Sequence, residues 1–275
     1  MGVSLREQLL DRQLGSNAAA EVAIDQIRSL EQTSQNVAIS RPADFLALAF
    51  LQGDAPSRSG RKPVDARVRE ALSLAINRAA INNVLLQRRG TPASGLLPQW
   101  LTGYEFMFSA ATDLQRAREL RSDAAAYVVI SPIMLAYDAS DPLLKLVAER
   151  IAVDAREAGI VVQPYGESHT NSKTARASIN ADAVLLRLPL PSVEPSVALA
   201  QRADDLGLSD SAPAILGATR PEDLFEAERK LLENHRVVPV AHLPQAVWLN
   251  SNVHNWQQLA TGGWQLDQLW VEGAR

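Results

Sequence analysis

The stretch from Tyr127 to Val162 confines this chain to few folds. YVVISPIMLAY, over residues 127–137, has the β-branched and aromatic content of a strand region. Pro132 interrupts it, which predicts an edge position or a bulge, because proline has no amide to give to a ladder. Asp141-Pro142 then opens a long helix, with Asp at the N-cap and Pro in the first turn. The helix is expected to run to about Ala158 and to stop at Gly159. Ile160-Val161-Val162 returns to strand. A strand, a capped helix and a second strand within so short a span predict an α/β protein.

The rest of the chain repeats the alternation. Residues 4–14 have helical spacing, with Leu5, Leu9, Leu10 and Leu14 on one side and Ser4 and Glu7 as a capping box. Glu21 to Ile24 reads as a strand, Asp25 to Gln32 as a short helix, and Val37 to Ser40 as another short strand. Phe45 to Leu51 is a continuous apolar run bounded by Pro42 and Gly53, the pattern of a strand buried on both faces. The polar stretch GDAPSRSGRKP after it reads as a loop. Asp65 caps a helix to about Asn77, and a second helix is expected over Arg78 to Gln87. Asp113 caps an amphipathic helix. Ala183 to Leu188 is a strand, 189–218 reads as irregular, Pro221 to about Asn234 as a helix, and Val237 to Val240 as a strand. No internal repeat is present.

Composition removes several function classes. The 27 basic and 31 acidic residues give a net charge of -4, so no basic excess points to nucleic acid. There is no cysteine, which excludes disulfides, thiolate metal sites and a cysteine nucleophile. No apolar run reaches the roughly 18 residues that span a bilayer. The first residues, MGVSLREQLL, lack the basic and apolar regions of a signal peptide, so an export signal is expected upstream. His169, His235, His242 and His254 show no metal-binding spacing, and no nucleophile elbow, phosphate loop or dinucleotide fingerprint occurs. The reading is therefore of no enzyme, no metal and no cofactor.

The most specific segment is Val64 to Pro98, two short helices and a Gly/Pro-rich loop. Asp65, Arg67, Val68, Arg69, Ala71, Leu72, Ala75, Ile76, Arg78 and Ile81 stand in the register D-x-R-V-R-x-A-L-x-x-A-I-D-R-x-x-I. This segment closely resembles the large substrate-binding proteins of peptide and nickel ABC transporters, the extracellular solute-binding family 5. The strand–SDP–helix–G-I-V block and the Val237–Val240 strand resemble the same family. The resemblance implies a periplasmic binding protein type II-like fold with a complete lobe II and a partial lobe I. Lobe II would span 46–236, and 1–45 with 237–275 would be partial lobe I segments. Phe45–Leu51 would be a hinge strand. The resemblance further implies a periplasmic or extracellular location, an oligopeptide or related small solute held in an inter-lobe cleft, and docking on an ABC permease. A solute-binding-like sensor or interaction domain without a transport role stays open.

Peptide-binding members resemble one another at a G-W-x-x-D-x-x-D-P motif whose first Asp anchors the peptide amino group. Here the aligned stretch is DAVLLRLPLPSVEP. Glu194-Pro195 matches the terminal D-P, Pro191 falls on the anchoring Asp, and Leu188 replaces the Trp. Candidate ligand contacts are Arg187, Glu194, Arg89, Trp100 and Tyr104. Arg89 suits bidentate carboxylate binding, while Trp100 and Tyr104 are amphipathic aromatics on a loop. The same residues also admit a structural role: arginine at a helix end, tryptophan in the core. The tryptophans of the tail fit strand and turn packing.

Overall fold

The computed structural model of the chain describes residues 19–51, 62–104, 109–208, 215–218 and 220–272. The helix read over 4–14 and the loop over 53–61 lie outside the described residues. In chain order, β1 (Ala19–Val22), α1 (Ile24–Gln32) and β2 (Val37–Phe50) come first. Next are α2 (Ala66–Ala75), α3 (Arg78–Ala80, continued by a π-helical turn over Ile81–Leu85), β3 (Thr91–Pro92), α4 (Gln99–Thr102) and α5 (Leu114–Ala125). The second half holds β4 (Ile133–Asp138), α6 (Pro142–Glu157), β5 (Val162–Glu167), α7 (Lys173–Arg176), β6 (Ala183–Leu188), α8 (Pro195–Asp205), α9 (Pro221–Leu232) and β7 (Val237–Leu249). Four two-residue strands close it: β8 (Val253–His254), β9 (Gln257–Gln258), β10 (Trp264–Gln265) and β11 (Trp270–Val271).

The β4–α6–β5 block forms as its sequence dictates. The Asp141 carboxylate accepts from the Leu143 and Leu144 amides, at 2.9 and 3.4 Å, and Gly159 leaves the helix at φ +75°. Leu144, Val147, Ala148 and Ile151 face the core. Each large apolar side chain so buried contributes about 1.5–3 kcal/mol. A helical crossover returns the chain parallel to itself, and β4 pairs in parallel with both β5 and β6.

These strands belong to one seven-stranded sheet of order β1-β7-β2-β6-β4-β5, with β3 also on β7. β2 runs antiparallel to β6 and β7. Leu46, Leu48 and Phe50 enter the core that holds Leu72, Leu135 and Val238. Phe45, Ala47 and Ala49 enter the core that holds Leu186, Leu199 and Leu231. A strand buried on both faces explains the apolar run. A third, smaller core gathers Ala20, Val22, Ile27, Leu30, Ala246 and Trp248 at the far end of β7.

Four expectations are corrected. Val37–Ser40 and Phe45–Leu51 are one strand of 14 residues, β2, which passes through Pro42 at register shifts against β7. Pro132 does not break a strand, because β4 begins after it at Ile133, and β4 lies inside the sheet. Residues 189–218 are not all irregular: α8 starts at Pro195, where proline's fixed φ suits the first turn. The helix after Asn77 is a short α-turn that widens into a π-turn and ends at Leu85.

Candidate functional site

β2 and β7 cross between the small third core and the two main cores, and Pro42 pairs with Pro244 at the crossing. Neither proline has an amide to donate, so the ladder loses donors there and shifts register on both sides of Pro42. Side chains take over. The Asp44 carboxylate, buried next to the crossing, accepts from Gln245 Nε2 on β7 at 2.7 Å and from Arg187 Nε on β6 at 2.8 Å. The Gln245 amide donates to Ser40 Oγ on β2, at 2.9 Å. One carboxylate thus joins three adjacent strands.

Arg187 has a second acidic neighbour. Its Nη1 lies 3.7 Å from Oδ2 of Asp141, the α6 cap. The Arg187 side chain keeps about a third of its surface exposed while its guanidinium is held by two carboxylates. It projects near the carboxyl ends of β4 and β6, where ligands of open α/β sheets sit.

Trp100 stands at the same crossing. Its indole Nε1–H donates to the Pro42 carbonyl at 2.8 Å, and the Arg41 guanidinium lies 5.6 Å from its ring centroid. Arg187 and Trp100 are thereby tied to β2 positions two residues apart. Glu194 is exposed at the start of α8, and its side chain makes no capping bond. Arg89 lies apart from these three. It pairs with Glu31 of α1 beside an open groove lined also by Arg28, Gln87 and Arg88.

Tyr104 is turned inward. Its hydroxyl donates to Glu228 Oε2, and its ring meets Phe225 edge-on at 5.3 Å. Glu228, on α9, has no exposed surface; its Oε1 accepts from the Leu96 and Leu97 amides. Burial pushes the Glu228 carboxyl above its ordinary range, against the pull of the Tyr104, Leu96 and Leu97 hydrogen bonds. Burial, with Glu228 alongside, also raises the Tyr104 hydroxyl. This knot fixes the segment on either side of α4, which carries Trp100. His242 supports the loop from β7: its Nε2 lies 3.5 Å from the Leu96 carbonyl, and burial holds it down to about 4. Sequence reasoning missed Asp44, Gln245 and Glu228. Asp44 left a signal, a carboxylate at the mouth of a fully apolar strand, which demands a partner.

Among the described residues no group of three or more His, Asp or Glu side chains could hold a metal, and no helix is long and apolar enough to cross a membrane. The Trp256 and Trp264 rings pack 5.1 Å apart across the β9–β10 hairpin, and Trp270 stacks on His254 at 4.1 Å.

Comparison with known proteins agrees with this architecture. No curated protein matches the chain. Among solved structures, the pheromone receptor PrgZ superposes with a TM-score of 0.80 at 15% identity, over 98% of this chain and 56% of the receptor. The dipeptide binding protein from Pseudoalteromonas sp. SM9913, in complex with Met-Leu, gives 0.78 at 16% identity, over 99% and 57%. NikA from Staphylococcus aureus, in complex with Ni(L-His)2, gives 0.76 at 16% identity, over 97% and 59%. The chain therefore spans less than two thirds of these relatives. The model of the bacterial extracellular solute-binding proteins, family 5 (middle region) matches residues 9–201, and with the curled mixed sheet and its paired crossing strands this places the chain in that family.

Proposed function

We propose that the chain supplies one jaw and the hinge of a solute-capture protein working outside the cytoplasmic membrane. Residues 46–236 form the jaw, and 1–45 with 237–275 contribute to the opposing lobe. The observation that carries this reading is the crossing itself. Two long strands connect a separate small core to the main cores, they pair along most of their length with Pro42 opposite Pro244, and a half-buried arginine and a tryptophan flank that point. Closure of two bodies about such strands encloses a solute without covalent chemistry.

The solute class is an oligopeptide or a related small molecule, delivered to an ABC permease. Arg187 and Trp100 contact it, one by charge and one by its apolar face, with Glu194 at the rim. Arg187 is satisfied by Asp44 and Asp141, so a ligand group drawn to it competes with the strand-joining carboxylate. Capture is thereby coupled to the hinge. Tyr104 acts through the Glu228 knot rather than by contact, and Arg89 contributes at the groove beside α1.

The test is identification, by mass spectrometry, of small molecules released on denaturing the protein purified from its natural source. Peptides or comparable solutes are expected, and Arg187→Ala should release at least tenfold less. No released solute, together with no thermal shift in a peptide library, refutes the reading.

A further inference from the structure

Gly262 makes a contact that the scheme above leaves without a purpose. It sits in the turn between β9 and β10, buried and at φ +91°. A Cβ placed on it would stand 2.6 Å from Cδ and Oε1 of Gln245 and 2.8 Å from Nε2. The turn therefore lies directly on the Gln245 carboxamide, closer than a residue with a side chain permits. Gln245 is the one half-buried residue of β7; the rest of that strand is buried.

The turn is itself held. The Leu259 amide donates to the Gly263 carbonyl at 2.8 Å, the Gly262 amide to the Leu259 carbonyl at 2.9 Å, and Gln258 Nε2 to the Gly262 carbonyl at 3.0 Å. The packed Trp256 and Trp264 rings brace the same hairpin. A surface so fixed limits the freedom of a glutamine side chain lying against it. The end of Gln245 that it limits is the end that donates to Asp44 Oδ1. Arg187 takes Oδ2 of the same carboxylate. What fixes Gln245 therefore decides how Asp44 is shared between β7 and β6.

We infer that Gly262 is a positioning residue of the strand junction: the β9–β10 turn bears on Gln245 and keeps its Nε2 on Asp44. The contacts run from Gly262 through Gln245 and Asp44 to Arg187. Their consequence for solute capture rests on the function proposed above, whereas the positioning of Gln245 does not. Two other glycines supply controls. Gly207 has φ +75° with nothing within 4 Å of an added Cβ. Gly263, next in the turn, meets only Leu259 and Thr261 of its own hairpin, at 3.5 and 3.9 Å.

The test is hydrogen exchange of the full chain without added solute, read by mass spectrometry. Gly262→Ala forces the Gln245 carboxamide aside at the expense of its bond to Asp44. The amides of Leu243 and of Gln245 to Val247 are expected to exchange about tenfold faster, as loss of one hydrogen bond to a charged group predicts, with β4 unchanged. Gly207→Ala, which bears left-handed strain in open space, and Gly263→Ala should leave these amides at the wild-type rate. Gln245→Met, which removes the donor at similar volume, should speed the same amides, and Gly262→Ala on top of it should add less than about twofold. Should Gly262→Ala not fold, Gly262→Asn brings the same Cβ on a residue that tolerates left-handed backbone. A folded Gly262 variant with wild-type exchange at these amides, or an acceleration shared by β4 or by Gly207→Ala, overturns the inference. None of these readouts needs a solute, so solute capture stands or falls separately.

Discussion

Replacing Glu228 separates packing from polar satisfaction at the knot behind Trp100. Glu228→Ala strands the Leu96 and Leu97 amides and the Tyr104 hydroxyl, all of which now bond to the carboxylate. A buried polar group left unpaired costs about 1–3 kcal/mol, and a water entering the vacated space recovers part of that. The expected loss is ~3–6 kcal/mol. Glu228→Gln keeps Oε1 as the acceptor for both amides and turns its NH2 toward the Tyr104 oxygen. Its expected cost is below ~1 kcal/mol at neutral pH. Urea denaturation, read as the midpoint multiplied by the slope, resolves the two. The variants also differ in pH dependence. The folded carboxyl holds its proton to higher pH than the unfolded one, whose ordinary pKa is 4.5. Folded protein therefore loses stability as pH rises through that window, and Glu228→Gln removes the slope. Equal damage from Ala and Gln, or an Ala cost below ~1 kcal/mol, refutes the account of the knot.

His242 acts in the opposite sense. Its imidazole stays neutral in the fold down to about pH 4, whereas the unfolded side chain takes up a proton near 6.5. Stability therefore falls as pH drops between these values, by up to ~3 kcal/mol. His242→Phe, which keeps the aromatic contact with Phe45, should flatten that limb in a pH series of melts; an unchanged limb contradicts it. The Asp44–Arg187 pair should show a coupling of ~1–3 kcal/mol in a double-mutant cycle with alanine, because either single change removes the charge-assisted bond that each group makes to the other. Additive costs would show that the carboxylate does not join β2 to β6.

Much of the fold was legible because local chemistry and tertiary packing agreed. Asp65, Asp113 and Asp141 announced helix starts that the structure keeps, each with its carboxylate on an amide of the first turn. The most specific segment proved to be scaffold. Arg69 donates to the carbonyls of Val64 and Asn234, and Arg78 to that of Pro239, pinning α2 and α3 to the start of β7. The misread places lie where long-range pairing overrides local signals. Pro42 looked like a strand boundary, yet partners on both sides carry β2 through it. α8 hid among prolines because Pro195 opens a helix as readily as it ends one. The site was least legible. Arg187 and Trp100 come to neighbouring positions only because β6 and α4 both dock on β2, a closeness that no spacing in the chain encodes.

The crossing also explains why the site is polar where its surroundings are apolar. If the strands serve as the proposed hinge, a proline pair lets them bend where ladder donors are already missing. The same lack of donors weakens the ladder there. Asp44 compensates with two charge-assisted or polar bonds, reaching β7 through Gln245 and β6 through Arg187. The carboxylate must be buried to be strong, and its partner must be partly exposed to be reachable. Asp44 and Arg187 divide those requirements between them. Under the proposed function, a solute that engages Arg187 would act on the strand junction directly, with no longer chain of residues needed between binding and movement.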